Sequence, residues 1–89
     1  MQNRNSGSKN YRYRIRFVWR NSIDTTTETD SLNLALHVAS IQMKAHVPET
    51  HRVGSLRGDG KVHLWHNGDR AGFVSVEEYK HGEYVLIGG

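Results

Sequence analysis

Cysteine is absent from all 89 residues, which excludes a disulfide framework and any thiolate metal site and fits a reducing compartment. A domain this small buries a modest core, so oligomerisation is the common reinforcement left to it. Long apolar runs are missing as well. No stretch approaches the ~18 apolar residues of a membrane span, and no charged start leads into an apolar segment of signal-peptide length. The expectation is a soluble, cytoplasmic protein with no membrane partner. Motifs that carry chemistry are equally scarce: there is no nucleophile elbow, Walker loop, dinucleotide fingerprint or HExxH zinc helix. The sequence therefore predicts no catalytic residue, no cofactor and no metal.

The last absence is local. Residues 1–20 hold Arg4, Lys9, Arg12, Arg14, Arg16 and Arg20 with no acid, whereas residues 21–89 hold the other six basic residues and all nine acidic ones. The first ten residues, MQNRNSGSKN, are polar and poor in apolar side chains, which predicts a disordered basic tail. Residues 11–89 then form a single domain.

What is present begins with residues 11–20, YRYRIRFVWR. On a strand, side chains alternate between faces, so Tyr11, Tyr13, Ile15, Phe17 and Trp19 share an apolar face while Arg12, Arg14, Arg16 and Arg20 share a cationic one. Such a ladder meets either phosphates or carboxylates. The following threonine-rich, acidic stretch from Asp24 to Asp30 reads as the second strand of a hairpin and decides between them. A two-residue loop would bury Asp24 and Glu28 against aromatics. A three-residue loop of Asn21, Ser22 and Ile23 instead sets Arg20 opposite Asp24, Val18 opposite Thr26, Arg16 opposite Glu28 and Arg14 opposite Asp30. Opposed charges contribute about 0.2–1 kcal/mol per pair, and the other register carries the larger cost of desolvated carboxylates. In the favoured register most of the ladder is neutralised from within, and Arg12 and the tail stay free.

Asp30-Ser31 has helix-capping chemistry, and residues 32–46 run without Gly or Pro until Val47-Pro48. At 100° per residue, Asn33, His37, Ser40 and Lys44 gather in a narrow polar stripe. Leu32, Ala35, Leu36, Ala39 and Met43 form one apolar side, and Leu34, Val38, Ile41 and Ala45 another. Together they span roughly 220°, well beyond what one sheet face requires. One side packs on the sheet. The other needs a wrapping C-terminal segment, a second copy of the chain as a homodimer, or a partner protein.

Segments 53–57, 61–66, 70–76 and 83–87 read as a C-terminal meander, broken at Gly58-Asp59-Gly60, Asn67-Gly68 and Lys80-His81-Gly82. A two-residue turn at Asn67-Gly68 pairs Val62 with Phe73 and Leu64 with Ala71 in the core. It places Trp65 opposite Arg70 outside, an exposed aromatic beside a cation. Glu77 and Glu78 read as solvated turn residues. His63 and His66 point to opposite faces of a strand and cannot share a metal, which leaves His46, Glu49 and His51 as a looser grouping. Arg57-Gly58-Asp59 spells the tripeptide integrins read, but Gly58-Asp59-Gly60 is also ordinary turn chemistry.

The predicted fold is α+β: an N-terminal hairpin, one central helix packed on an antiparallel sheet, and a meander. The leading functional expectation is a non-enzymatic protein-binding module that occupies a partner's surface, with Leu34, Val38, Ile41, Ala45, Trp65 and Arg70 as contact candidates. A small inhibitor or regulator, of the kind phages carry against host machinery or defences, would have this build. The alternative is a nucleic-acid-binding protein using Arg4, Lys9, Arg12, Arg14, Arg16 and Arg20, with Tyr11, Tyr13 or Trp65 as stacking platforms. A small metal-dependent or hydrolytic enzyme built on the histidines is the weaker alternative.

Overall fold

The alternating stretch folds as its pattern dictates. A computed structural model describes residues 11–88; the expected disordered tail, with Arg4 and Lys9, lies outside them. Strand β1 (Tyr13–Trp19) turns Tyr13, Ile15, Phe17 and Trp19 into the core and Arg14, Arg16 and Val18 to the opposite, outer face. Strand β2 (Ile23–Thr29) returns antiparallel to it.

The connecting loop is three residues long, but it consists of Arg20, Asn21 and Ser22, with Arg20 in the left-handed region at φ 56°. The register therefore differs by two from the one the charges favoured. Trp19 faces Ile23, Val18 faces Asp24, Arg16 faces Thr26 and Arg14 faces Glu28. A shift of two leaves every residue on its own face, so the acids still lie on the arginine side. Ile23 explains the shift, since it packs against the core instead of sitting in the loop. Burying an Ile side chain is worth about 1.5–3 kcal/mol, more than the ~0.2–1 kcal/mol of one cross-strand charge pair.

Ser31 caps helix α1 (Leu32–His46), its hydroxyl accepting from the Leu34 N–H at 3.2 Å, and the helix ends where Val47 donates to the Met43 carbonyl ahead of Pro48. Ala35, Leu36, Ala39 and Met43 face the sheet and are buried. The two alanines, four residues apart, let the helix sit close over the aromatics of β1. A single 3-10 turn (Glu49–His51) leads into β3 (Arg52–Ser55), followed by the one-turn helix α2 (Leu56–Asp59), β4 (Lys61–His66), β5 (Asp69–Lys80) and β6 (Glu83–Leu86). Segment 53–57, expected as strand throughout, is thus strand only to Ser55. The Ser55 hydroxyl then accepts from the Gly58 N–H at 3.3 Å and starts a helical turn.

The strands form one antiparallel sheet in the order β2-β1-β5-β4-β3, with β6 paired to β5. Strand β5 is long enough to pair with β1 on one edge while β4 and then β6 share the other. At their junction Val76 donates to the Gly60 carbonyl at 2.8 Å and accepts from the Ile87 N–H at 3.1 Å. Asn67 and Gly68 both have positive φ, 52° and 81°, as a two-residue hairpin turn prefers, and Trp65 does face Arg70. Beyond that pair a bulge between Leu64 and Trp65 slips the register by one. Val62 meets Val74, Leu64 meets Gly72, and Phe73 faces His63 on the outer side, which corrects the expected Val62–Phe73 and Leu64–Ala71 core pairs. Gly72 is required at its place between Trp19 and Leu64, because a Cβ there would collide with the Val18 carbonyl.

The fold is α+β: an N-terminal hairpin, one main helix on a six-stranded antiparallel sheet, and C-terminal strands.

Candidate functional site

Basic side chains lie on the outer sheet face, on the helix side and between the two hairpin turns, and these surfaces differ in what surrounds the charges. On the outer sheet face, Arg14 pairs with Glu77 (Nε to Oε1, 2.9 Å) while its guanidinium lies 4.1 Å from the centre of the Tyr84 ring. Arg16 pairs with Asp24 at 3.2 Å and lies over Phe73, which Lys61 approaches at 4.7 Å. Arg12 pairs with Glu78 at 3.0 Å, and the same carboxylate takes Lys80 at 3.6 Å. Arg12, expected to stay free, is therefore engaged. Glu77 and Glu78, expected in a solvated turn, sit inside β5 opposite Arg14 and Tyr13.

Tyr84 ties this face together. Its hydroxyl donates to the Tyr11 carbonyl at 2.7 Å and lies 3.4 Å from Glu28, and its ring meets Tyr79 edge-on at 5.2 Å. Desolvation first, and then the neighbouring Glu28 carboxylate, push the Tyr84 phenol above its ordinary pKa, with Arg14 pulling the other way. The Glu78 hydrogen bond likewise raises the Arg12 pKa further. Of the proposed stacking platforms, Tyr13 is buried in the core at 7% exposure, so it cannot receive a base.

The helix side is different. Helix α1 packs on β1, β5 and β2, and its second apolar side has no cover within the described residues. Leu34 is 48% and Ile41 50% exposed; Ala45 is exposed and Val38 half-buried. Beside this ridge runs a groove of about 570 Å³ between α1 and the β3–α2 segment. The polar stripe of the helix, Asn33, His37, Ser40 and Lys44, forms one bank, and Gly54, Ser55 and Arg57 contribute to the other. Leu36, Ile41, Met43, Leu56 and Val62 also line it, so that Ile41 belongs to both ridge and groove, and no acidic residue does. Arg52, also lining it, is held by two hydrogen bonds to the Val47 carbonyl, the shorter 2.8 Å.

The stripe was visible in the helical periodicity of the sequence. Arg52 and Arg57 were not recognisable as its companions, because only the path of the chain through β3 and α2 brings them near.

Trp65 and Arg70 lie apart from the helix on the β4–β5 hairpin. Both are exposed, and no cation–π contact joins them. Arg70 instead shares a cleft with Arg20, His66 and Asp69 between the two hairpin turns. Two of the histidines pack on core aromatics: His46 stacks on Phe17 at 5.8 Å, and His66 meets Trp19 edge-on at 6.0 Å. Among the described residues no group of three or more His, Cys, Asp or Glu is placed to hold a metal, so His46, Glu49 and His51 do not form one.

No family model matches this chain, and neither curated proteins nor solved structures provide a match.

Proposed function

We propose that this chain is a non-enzymatic protein-binding module that acts by occupying a partner's surface through α1. The observation that carries this reading is the uncovered apolar ridge of Leu34 and Ile41, flanked by Val38 and Ala45, on a helix whose other side buries Ala35, Leu36, Ala39 and Met43 against the sheet. A contiguous exposed apolar patch rimmed by polar groups is the usual mark of a protein interface. Lys44 and His37 supply the rim here. A one-domain chain that presents a single ridge suits a small inhibitor or regulator, which needs complementarity to one target and no chemistry of its own.

The nucleic-acid reading has less in its favour. Arg12, Arg14 and Arg16 are already paired with carboxylates, and a phosphate would have to displace them. The discriminating experiment is affinity capture from nuclease-treated lysate of the source cells with the wild-type chain and with a Leu34→Asp, Ala45→Asp double variant, both positions lying outside the groove, whose folding is checked by circular dichroism. The reading expects a discrete protein retained by the wild type and lost by the folded double variant. Retention by both, or loss of all bound protein after nuclease, would overturn it.

A further inference from the structure

The groove beside the ridge differs from the outer sheet face, whose cations are paired, and from the cleft of Arg20 and Arg70, which Asp69 also lines. Outer-face cations stand against carboxylates and aromatic rings, but Lys44 and Arg57 have no ion pair, hydrogen bond or ring contact among the described residues, and no acid lines the groove with them. His37 stands on the same bank, seven residues and about two helical turns before Lys44, so the helical spacing presents both to the same side. The lining is apolar below this rim, with Leu36 and Met43 from the helix and Leu56 and Val62 from the opposite side. The far wall is β3, the end strand of the sheet.

We propose that this groove binds an acidic, amphipathic peptide segment of a partner protein, whose carboxylates meet Lys44, Arg57 and His37 while its apolar side chains enter between Leu36, Met43 and Val62. The proposal rests on the protein-binding reading and names the partner's chemistry. Charge selects this occupant. The chain's own first ten residues carry Arg4 and Lys9 and no acid, so they are of the wrong sign. A second copy offers no suitable segment either. Asp24, Glu77 and Glu78 are spent on Arg16, Arg14 and Arg12, Glu28 accepts from the Tyr84 hydroxyl at 3.4 Å and Asp30 from the Arg12 backbone N–H at 3.1 Å, and Glu49, Asp59, Asp69 and Glu83 stand singly at turns and element ends. A groove with an apolar lining and a strand wall suits a peptide, which supplies apolar and charged side chains together, better than a phosphate backbone, which supplies only charge.

The test is nuclear magnetic resonance on the full chain, labelled with nitrogen-15 and titrated with an octapeptide alternating Glu and Leu. The expected result is saturable shifts at the amides of His37, Lys44, Gly54, Ser55 and Arg57. An octapeptide alternating Lys and Leu should leave these amides in place, and the affinity of the acidic peptide should fall as salt is added. A Lys44→Glu, Arg57→Glu double variant should weaken binding by about tenfold or more, while Lys80→Glu, outside the groove, leaves it unchanged.

No saturable shift up to about millimolar peptide, a concentration at which even −4 kcal/mol of binding registers, would overturn the proposal. So would shifts centred on the β1–β2 hairpin, the same groove amides responding to an octathymidylate in place of the peptide, or groove shifts that track protein concentration alone, which would make a second copy the occupant. Failure of the peptide with ridge-dependent capture intact removes the groove and keeps the protein-binding reading. Loss of ridge-dependent capture removes that reading whatever the peptide does.

Discussion

The outer sheet face and the helix-side groove are both lined with basic residues, yet only one of them has charge to offer. On the sheet face Arg12, Arg14 and Arg16 each have a carboxylate within 3.2 Å and an aromatic ring within 5.6 Å; Arg20, expected in the same ladder, lies in the hairpin loop instead. In the groove Lys44 and Arg57 have neither. The difference follows from secondary structure. A strand in the middle of an antiparallel sheet has neighbours on both sides at about 5 Å, so an alternating arginine is placed beside whatever residues those neighbours present. A helix with one side on the sheet has no such cross-strand partner for its other positions, and a cation there keeps its charge for an incoming group. A run of arginines is thus a poor guide to a binding surface when its strand is central, and a sparse pair of cations on a helix is a better one.

This contrast can be broken from the sheet side. The largest effect is expected where the sheet is tightest: Gly72→Ala puts a Cβ against the Val18 carbonyl at the β1–β5 seam, and should cost about 2–3 kcal/mol in urea unfolding. A neutral result would mean that β1 and β5 are spaced differently, and the pairing of the ladder with Glu77 and Glu78 would go with it.

Next in size is Tyr84→Phe, which removes the hydrogen bond to the Tyr11 carbonyl and should cost about 1 kcal/mol at neutral pH. Its pH dependence sharpens the point. The folded-state pKa of Tyr84 lies above its ordinary value near 10, so the folded state favours the neutral phenol. The corresponding stability is fully present below the unfolded pKa and is lost as the pH rises through the folded one. Melting curves above pH 10 should therefore fall less steeply for Tyr84→Phe than for the wild type. Parallel slopes would remove Glu28 and burial as influences on Tyr84.

A smaller effect separates the two faces functionally. Glu77→Gln with Glu78→Gln should release Arg14 and Arg12 and raise affinity for single-stranded oligonucleotides, by about tenfold at low salt, with a steeper salt dependence. Unchanged affinity would show that the arginines are held by more than their carboxylates. The smallest stability effect is expected on the ridge: Leu34→Asp should change unfolding free energy by no more than about 0.5 kcal/mol, because Leu34 is already half exposed. A large loss would mean that the ridge is covered.

Much of this arrangement was legible in the sequence, and the misses share a cause. Period-two alternation places the core face of β1 correctly from Tyr13 to Trp19 but not Tyr11, which is exposed outside the strand, or Arg20, which is in the loop. Helical periodicity distinguishes the two apolar sides of α1 and the polar stripe, except that Leu32, grouped with the sheet-facing side, is exposed. The Asn67-Gly68 turn placed Trp65 opposite Arg70. The β1–β2 register was argued from charges, and it slipped because Ile23 has a core to join that the local pairing does not reveal. Phe73 moved to the outer face through a bulge that leaves no mark in composition. Adjacent glutamates suggest a solvated turn, and what accompanies Glu77 and Glu78 in β5 instead is Arg14 and Arg12, arriving from 60 or more residues away. The groove was missed for the same reason: one bank is a helix stripe, but the other exists only after β3 and α2 are in place.

The central claim is that the sheet-face arginines are committed to the fold while the groove cations are not. Urea unfolding of Arg14→Ala, Glu77→Ala and their double variant, set beside Lys44→Ala and Arg57→Ala, tests it most directly. Arg14→Ala and Glu77→Ala should each cost about 1 kcal/mol and together less than their sum, while Lys44→Ala and Arg57→Ala stay within about 0.5 kcal/mol of the wild type. Additive, negligible losses at Arg14 and Glu77, or comparable losses at Lys44 and Arg57, would contradict it.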